Sequence, residues 1–274
     1  MRYHNTSVSV PQTEPPRSPR ETLPTMYDLP SEDPEEPGLP DTFHYLQPSL
    51  LQETFRPPDY PPERFFAAGD LNLYFDVHHP LWHKRPDWFA VLDVPNLYEA
   101  RDLRLSYVVW QEGVMPFVVV ELLSPGTEKE DLGQNPREVD APPPKWEVYE
   151  QILRVPYYLV YSRYTGEFQA FGLQAARYQS LPLNGGRLWL PEIRLGVGLW
   201  EGRYRDVQHQ WLRWYGADGR WIPTDAERHA AEHERAEWEH QRAEQEKQRA
   251  EQEKQRAERL AERLRAMGID PDAP

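Results

Sequence analysis

Two acidic residues stand in apolar segments, where a carboxylate is costly to bury. Asp87 follows Pro86 at the start of the segment WFAVLDV, and Glu121 interrupts the run FVVVELL. A divalent cation, or a lysine or arginine partner, can compensate such a buried charge. Two carboxylates at the ends of neighbouring strands suit Mg²⁺, which prefers oxygen ligands and retains several waters. The pattern by itself leaves open a metal site or a buried ion pair of Glu121.

A lysine farther along the chain favours the metal site. Lys145 opens the segment KWEVYEQIL, whose apolar residues have helical spacing, and Tyr149 lies four residues later on the same face. A lysine beside a metal ion could position an attacking water or stabilise the charge that develops on a phosphate. Without the two acids it would be an ordinary solvated helix start. The prediction of chemistry on a phosphate therefore depends on Asp87, Glu121 and Lys145 together.

The elements that must position these residues form an α/β pattern. Alternating or continuously apolar segments predict strands, and two segments with helical spacing predict helices. A further hairpin turns at Thr165-Gly166, and more antiparallel strands follow up to Trp221. The predicted strands are 71–77, 88–94, 117–123 and the hairpin 156–173, and the predicted helices are 43–55 and 145–153. We place this core domain at residues 41–224.

The two ends of the chain differ from the core. Residues 1–40 contain nine prolines and have too little apolar surface to offset the loss of chain entropy on folding. We therefore predict that they are disordered. Residues 225–274 are highly charged and repeat RAEQEKQ with a seven-residue period, which predicts a long helix. Alanine occupies one core position of this period and glutamate the other. The pattern favours a solvated helix over a coiled coil, although both remain open.

Composition excludes several classes of protein. The chain of 274 residues has no cysteine, so it has neither disulfides nor zinc held by thiolates. It also lacks a run of about 18 apolar residues and an apolar signal core, so we expect a cytoplasmic protein without a membrane span. The net charge is −14, of which the core contributes −6. This charge argues against strong non-specific DNA binding, but a metal enzyme could supply positive charge locally.

The order of three motifs is similar to that in a known family. The segments PDWFAVLDVP, FVVVELLSPGTEKEDLG and KWEVYEQILRVPYYLV resemble the Uma-two family of putative restriction endonucleases. This bacterial family belongs to the PD-(D/E)XK nuclease superfamily, and the resemblance covers roughly residues 42–215. It implies a restriction-endonuclease-like mixed β-sheet flanked by helices.

The resemblance also implies roles for individual residues. Asp87 and Glu121 match the metal-binding acids and Lys145 matches a catalytic lysine, because Leu123 occupies the usual lysine position after the glutamate. Supporting roles fall to Tyr149, to Ser124 as a turn or cap donor, and to Asp131 as a partner of Lys145. Some relatives supply a catalytic glutamate from the first helix, and Glu53 is a guess for that residue. Asp70 is either an outer metal ligand or, in the favoured interpretation, a turn residue.

These expectations combine into a metal-dependent DNA endonuclease. The implied cofactor is Mg²⁺, with Mn²⁺ as a substitute, and DNA is the implied substrate. A homodimer, or a separate partner for the C-terminal helix, also fits the sequence. The alternative is a non-catalytic interaction protein that retains the nuclease fold and uses its charged helix to bind a partner.

Overall fold

The structure is a computed structural model that describes residues 18–25, 28–29, 42–123, 131–134 and 141–267. Two compact units divide the chain between Ile222 and Pro223, close to the predicted boundary at 224. None of the helices in the described ranges combines the length and apolar character needed to cross a membrane. The helices are α1 (Pro19–Thr22), α2 (Thr42–Thr54), α3 (Val109–Glu112), α4 (Lys145–Glu147), a π-helix (Val148–Ile152) and α5 (Asp225–Ala266).

Among the described residues of the first unit, twelve strands form three sheets. The strands are β1 (Phe65–Ala68), β2 (Leu73–Tyr74), β3 (His83–Lys84), β4 (Trp88–Leu92), β5 (Tyr107–Val108), β6 (Val118–Leu122), β7 (Tyr157–Ser162), β8 (Glu167–Gln174), β9 (Arg177–Ser180), β10 (Arg187–Leu190), β11 (Leu195–Tyr204) and β12 (Val207–Tyr215). The largest sheet has the order β1-β4-β6-β7-β8-β9, and only its β6–β7 pair is parallel. A second sheet, β10-β11-β12, is antiparallel, and a third, β3-β2-β5, is mixed. The predicted mixed α/β architecture is confirmed.

The alternation of side chains along β6 separates two hydrophobic cores. Val118, Val120 and Leu122 face one core, which also contains the apolar side of α2 and the inner face of the β10-β11-β12 sheet. Val119 faces the other core, together with Tyr149 and further residues around the π-helix. Because successive strand residues point to opposite faces, Glu121 falls on the same side as Val119 and Tyr149. The sheet thus places Glu121 under the segment that begins at Lys145.

The element boundaries depart from the sequence prediction in three places. The strand predicted at 71–77 is limited to Leu73–Tyr74, and the longer strand Phe65–Ala68 was not predicted. Phe65–Ala68 follows a proline-rich turn and has no alternation of apolar and polar residues, so its local sequence does not predict a strand. The strand forms because these residues pair with β4. The helix predicted at 145–153 is α-helical only to Glu147 and then widens into a π-helix.

A short N-terminal segment of the first unit packs against α3. Arg20 donates to the carbonyl oxygen of Gln111, and the Gln111 amide donates to the carbonyl of Leu23 at 3.0 Å. Trp110 donates to the carbonyl of Pro24, and Leu29 is buried in a small cluster. Residues 18–25 and 28–29 thus make defined contacts, and the disorder of residues 1–40 as a whole stays a prediction. Residues 1–17, 26–27 and 30–40 fall outside the described residues.

The second unit consists mainly of the predicted C-terminal helix. Thr224 and Glu227 form a capping box: each side chain accepts a hydrogen bond from the other residue's backbone N–H. The alanines of the seven-residue repeat are exposed in the single chain. The helix itself is confirmed, whereas a coiled coil stays a prediction. Residues 268–274 fall outside the described residues.

Candidate active site

The acid pair lies where the ladder between β4 and β6 ends. The last paired residues are Trp88 and Val120, so Asp87 and Glu121 are the next two residues on adjacent strands. The Asp87 N–H points at Oε2 of Glu121 over 3.4 Å, and Oδ2 of Asp87 accepts a hydrogen bond of 2.6 Å from the N–H of Leu122. The Asp87 carboxylate therefore replaces a backbone partner at the end of the sheet.

Glu121 is fully buried and has a donor on each carboxylate oxygen. The Tyr149 hydroxyl donates to Oε1 at 2.8 Å, and the Lys145 ammonium donates to Oε2 at 3.0 Å. Charged hydrogen bonds of this kind are what a carboxylate needs in an apolar surrounding. The sequence left open a metal site or a buried ion pair of Glu121, and Lys145 favoured the metal site. In the structure Lys145 is itself the partner of Glu121 in a buried ion pair.

Asp131 reaches Lys145 in spite of the thirteen residues that separate them in sequence. Its Oδ1 lies 3.1 Å from the Lys145 ammonium nitrogen. The backbone of Asp131 is held by Tyr158, whose hydroxyl donates to its carbonyl oxygen at 2.8 Å. The structure thus brings together Asp87, Glu121, Asp131, Lys145 and Tyr149, five of the six predicted site residues.

The change from α4 to the π-helix occurs directly beside these contacts. Lys145 is the first residue of α4, and Tyr149 is the second residue of the π-helix. A π-helical turn widens the spacing of side chains and is often found at functional sites. Here Lys145 and Tyr149 both reach the single carboxylate of Glu121, while Val148 and Tyr149 remain buried.

Burial and charge act in opposite directions on the pKa values of this cluster. Burial raises the pKa of Glu121 well above its usual range, and the Lys145 ammonium opposes that rise. Burial also raises the pKa of Asp87, again against the effect of Lys145. Burial lowers the pKa of Lys145, but Glu121, Asp131 and Asp87 outweigh it, so the net pKa lies well above the usual range. The lysine therefore remains a cation among the acids.

The donor set fits a divalent cation that is held by two carboxylates and completes its shell with water. Oδ1 of Asp87 receives no hydrogen bond among the described residues, and the backbone N–H of Asp87 contacts the Glu121 carboxylate. Oδ1 of Asp131 is buried, and its ion-pair partner, the Lys145 ammonium 3.1 Å away, does not have hydrogen-bond geometry to it. Within the described ranges, no three His, Asp or Glu side chains are arranged to hold one ion. Two carboxylates plus waters match the preference of Mg²⁺.

The remaining predicted residues lie elsewhere or outside the described ranges. Ser124 is outside them. Glu53 accepts hydrogen bonds from Tyr204 and Arg205, and the guess that it serves the acid pair finds no contact in its favour. Asp70 has a positive φ of 55° and pairs with Arg85, as the turn interpretation predicts.

One residue at the site escaped the sequence analysis. His44, in the first turn of α2, lies with Nε2 3.2 Å from the carbonyl oxygen of Leu122. It also acts electrostatically on Asp87, whose pKa it lowers in part. A single histidine near a helix start carries no periodic or motif signal, so only the packing of α2 against the sheet end reveals it.

A mixed sheet with one acid on a strand, a second acid directly before the adjacent strand, and a lysine beside them is typical of the restriction-endonuclease-like class. A family model described as Uma2, Putative restriction endonuclease, matches residues 19–208, well over half of the chain. The chain therefore belongs to the Uma2 family, the Uma-two family that its motifs resemble. A search of curated proteins found no match.

One solved structure is also similar to the chain. It is described as a putative nuclease belonging to DUF820 from Anabaena variabilis. The two chains share 13% sequence identity, and the similarity covers 59% of this chain and 89% of that one with a TM-score of 0.39.

Proposed function

We propose that this protein is a Mg²⁺-dependent DNA endonuclease that hydrolyses phosphodiester bonds. The observation that carries the proposal is the convergence of the Lys145 ammonium on Glu121 and Asp131, beside Asp87 on the adjacent strand. Separate segments of the chain supply these side chains, and a purely structural ion pair needs only two of them. Membership in a family described as putative restriction endonucleases supports nuclease chemistry.

Asp87 and Glu121 are the residues that would hold the metal ion. Bound there, Mg²⁺ would supply a water of lowered pKa and positive charge for the phosphate under attack. Mn²⁺ accepts the same oxygen ligands and serves as a substitute. The Tyr149 hydroxyl keeps the Glu121 carboxylate in one orientation, because it donates to the oxygen that Lys145 does not contact.

Lys145 is the residue that would contact the phosphate. Its ammonium has three N–H donors, and the carboxylates of Glu121 and Asp131 lie within 3.1 Å of it. The Lys145 side chain as a whole is 21% exposed, and its third N–H is the donor that we assign to a substrate oxygen. A cation held in advance where negative charge develops stabilises the transition state without reorganisation. Asp131 thereby acts on the reaction by orienting Lys145.

The test is cleavage of supercoiled plasmid and of labelled single-stranded, double-stranded and branched DNA with Mg²⁺ or Mn²⁺. We expect the wild type to cleave at least one of these substrates. Glu121→Gln keeps the shape of the side chain and removes the charge, and we expect it to lower the rate by about 100-fold or more.

The matched control is Glu239→Gln, on the exposed surface of α5, which should cleave like the wild type. Clean wild-type protein that is inert on all of these substrates with both metals would contradict the proposal. Equal rates for Glu121→Gln and wild type would assign the activity to a contaminant.

A second candidate function is a non-catalytic interaction protein. Both carboxylate oxygens of Glu121 already have donors, as a purely structural pair requires. The second unit also presents a long charged helix, on which Trp238 is 59% exposed. Calorimetric titration with Mn²⁺ separates the two functions. Absence of binding, or binding unchanged in Asp87→Asn, would favour the interaction protein.

A further inference from the structure

His44 approaches the end of β6 from the α2 side of the sheet. Its Nε2 lies 3.2 Å from the carbonyl oxygen of Leu122. Because a carbonyl oxygen only accepts hydrogen bonds, Nε2 must carry the hydrogen. The neighbouring Phe43 is buried, and its ring meets that of His44 edge-on at a centroid distance of 6.2 Å. The imidazole is therefore anchored by the core on one side and by the sheet on the other.

The residue that His44 contacts also holds the carboxylate of Asp87. The N–H of Leu122 donates to Oδ2 of Asp87 over 2.6 Å, the shortest hydrogen bond at the site. Continuing the pairing of Trp88 with Val120 along both strands places Pro86 opposite Leu122. Proline has no N–H, so β4 has no backbone donor for the Leu122 carbonyl. His44 supplies the missing donor, and one peptide unit then links the histidine to the acid.

We propose that His44 is a positioning residue for Asp87. By holding the Leu122 carbonyl, it fixes the end of β6 and with it the N–H that orients the Asp87 carboxylate. The proposal rests on the proposed function only in treating Asp87 as a metal ligand. The link from His44 to Leu122 to Asp87 belongs to the metal-free chain and can be tested there.

A pair of substitutions separates the hydrogen bond from the bulk of the ring. His44→Gln places an amide N–H near the position of Nε2, whereas His44→Asn places it near that of Nδ1, too short to reach Leu122. We expect His44→Gln to keep the hydrogen bond to Leu122, as in the wild type, and His44→Asn to lose it. Tyr45→Ala, at the exposed neighbouring position of α2, is the matched control.

The first readout is hydrogen exchange of the Leu122 amide in metal-free protein. We expect exchange in His44→Asn to be about fivefold faster or more, the size that loss of one hydrogen bond produces. His44→Gln and Tyr45→Ala should exchange at the wild-type rate. Exchange of amides in β11 and β12 should not change, which distinguishes local loosening from loss of stability throughout the unit.

The second readout is the affinity for Mn²⁺ measured by calorimetry. We expect His44→Asn to bind about tenfold more weakly, as is common when a partner that orients a ligand is removed. In an Asp87→Asn background the same substitution should have no further effect, because the carboxylate that it positions is absent.

The outcomes for the two proposals are distinguishable. Wild-type protein that binds no Mn²⁺ would contradict the proposed function. Hydrogen exchange of the Leu122 amide would still test the role of His44. Unchanged Leu122 exchange in His44→Asn would overturn the positioning role, whatever the metal affinity. Equal losses in His44→Gln and His44→Asn would also overturn it, since a donor at Nε2 would then be irrelevant.

Discussion

At the scale of single residues, one cation balances the buried acids of the site. Lys145 lies 3.0 Å from Glu121 and 3.1 Å from Asp131, and the side chains of both acids are almost completely buried. A buried ion pair adds little net stability, because desolvation offsets the attraction. Removal of one partner is different, since it leaves a buried charge without compensation. Removal of the lysine should therefore destabilise the site, apart from its role in the proposed chemistry.

This balance predicts how Lys145→Met responds to pH. Burial raises the pKa of Glu121 in the folded state above its unfolded value. Such a group stabilises the fold below its unfolded pKa, and the contribution is lost as pH rises through the folded pKa. Loss of the opposing cation raises the pKa of Glu121 further, so stability falls more steeply with pH. We expect the deficit relative to wild type to grow between about pH 5 and pH 8 and to reach about 3 kcal/mol.

Urea unfolding at a series of pH values measures this deficit. Lys247→Met, at an exposed position of α5, is the matched control and should stay within about 0.5 kcal/mol of wild type at each pH. A deficit for Lys145→Met that does not change with pH would show that Glu121 does not depend on this cation.

At the scale of elements, α2 is fixed closely against the strands that carry the site. The Gln47 side chain exchanges two hydrogen bonds of 2.8 Å with the backbone of Leu212 in β12. Pro48, inside the helix, packs over Gly69 in the turn before β2. A Cβ on Gly69 would lie 2.8 Å from the Pro48 ring and 2.9 Å from the carbonyl oxygen of Asp87. Glycine thus permits the approach of helix, turn and strand that places His44 at the site.

Gly69→Ala should loosen this approach. The added methyl group meets a proline ring and a backbone oxygen, neither of which can rotate away, so the helix or the strand must shift. We expect the free energy of unfolding to fall by about 2 kcal/mol, as in other overpacked sites. Mn²⁺ affinity should fall as well, because the backbone of Asp87 moves.

Chemical unfolding and calorimetry check the two effects. Gly216→Ala is the control, since its nearest neighbour is the end of the Asp218 side chain at 3.2 Å. Unaltered stability and metal affinity in Gly69→Ala would mean that the close packing of α2 does not position the site.

At the scale of the whole molecule, the charge balance bears on the proposed binding of DNA. The net charge is −14, and the sequence has a pI of about 5.1. Strong non-specific DNA binding relies on neutralising phosphates with lysine and arginine, which this chain has in deficit. A divalent ion held by Asp87 and Glu121 would offset acidic charge at the one place where the proposed substrate must approach.

The affinity for DNA should therefore depend on a divalent ion. We expect an inactive complex with Ca²⁺ to bind labelled DNA at least about tenfold more tightly than the same protein in EDTA, because the ion bridges carboxylates and phosphate. Fluorescence anisotropy measures both affinities. The increase should be absent in Asp87→Asn, and tight binding in EDTA that Ca²⁺ does not change would contradict the prediction.

The sequence by itself determined the elements whose order is encoded locally. The apolar runs around Asp87 and Glu121 predicted β4 and β6, and the cost of burying the two carboxylates made them candidate site residues. The helical spacing after Lys145 placed Tyr149 on the same face. The charged seven-residue repeat predicted α5. Each of these follows from side-chain periodicity, a property of neighbouring residues that does not depend on the rest of the fold.

Only the tertiary structure decided which distant residues complete the site. The family resemblance implied the contact of Asp131 with Lys145, but nothing in the sequence indicated the contact of His44 with Leu122. Both form because separate elements pack against one sheet end, and no local periodicity predicts such contacts. The same holds for β1, whose order comes from pairing with β4, and for the π-helix, whose wider turn fits Tyr149 to a buried carboxylate. Contacts across long loops depend on the packing of whole elements, and that packing is settled only when the chain has folded.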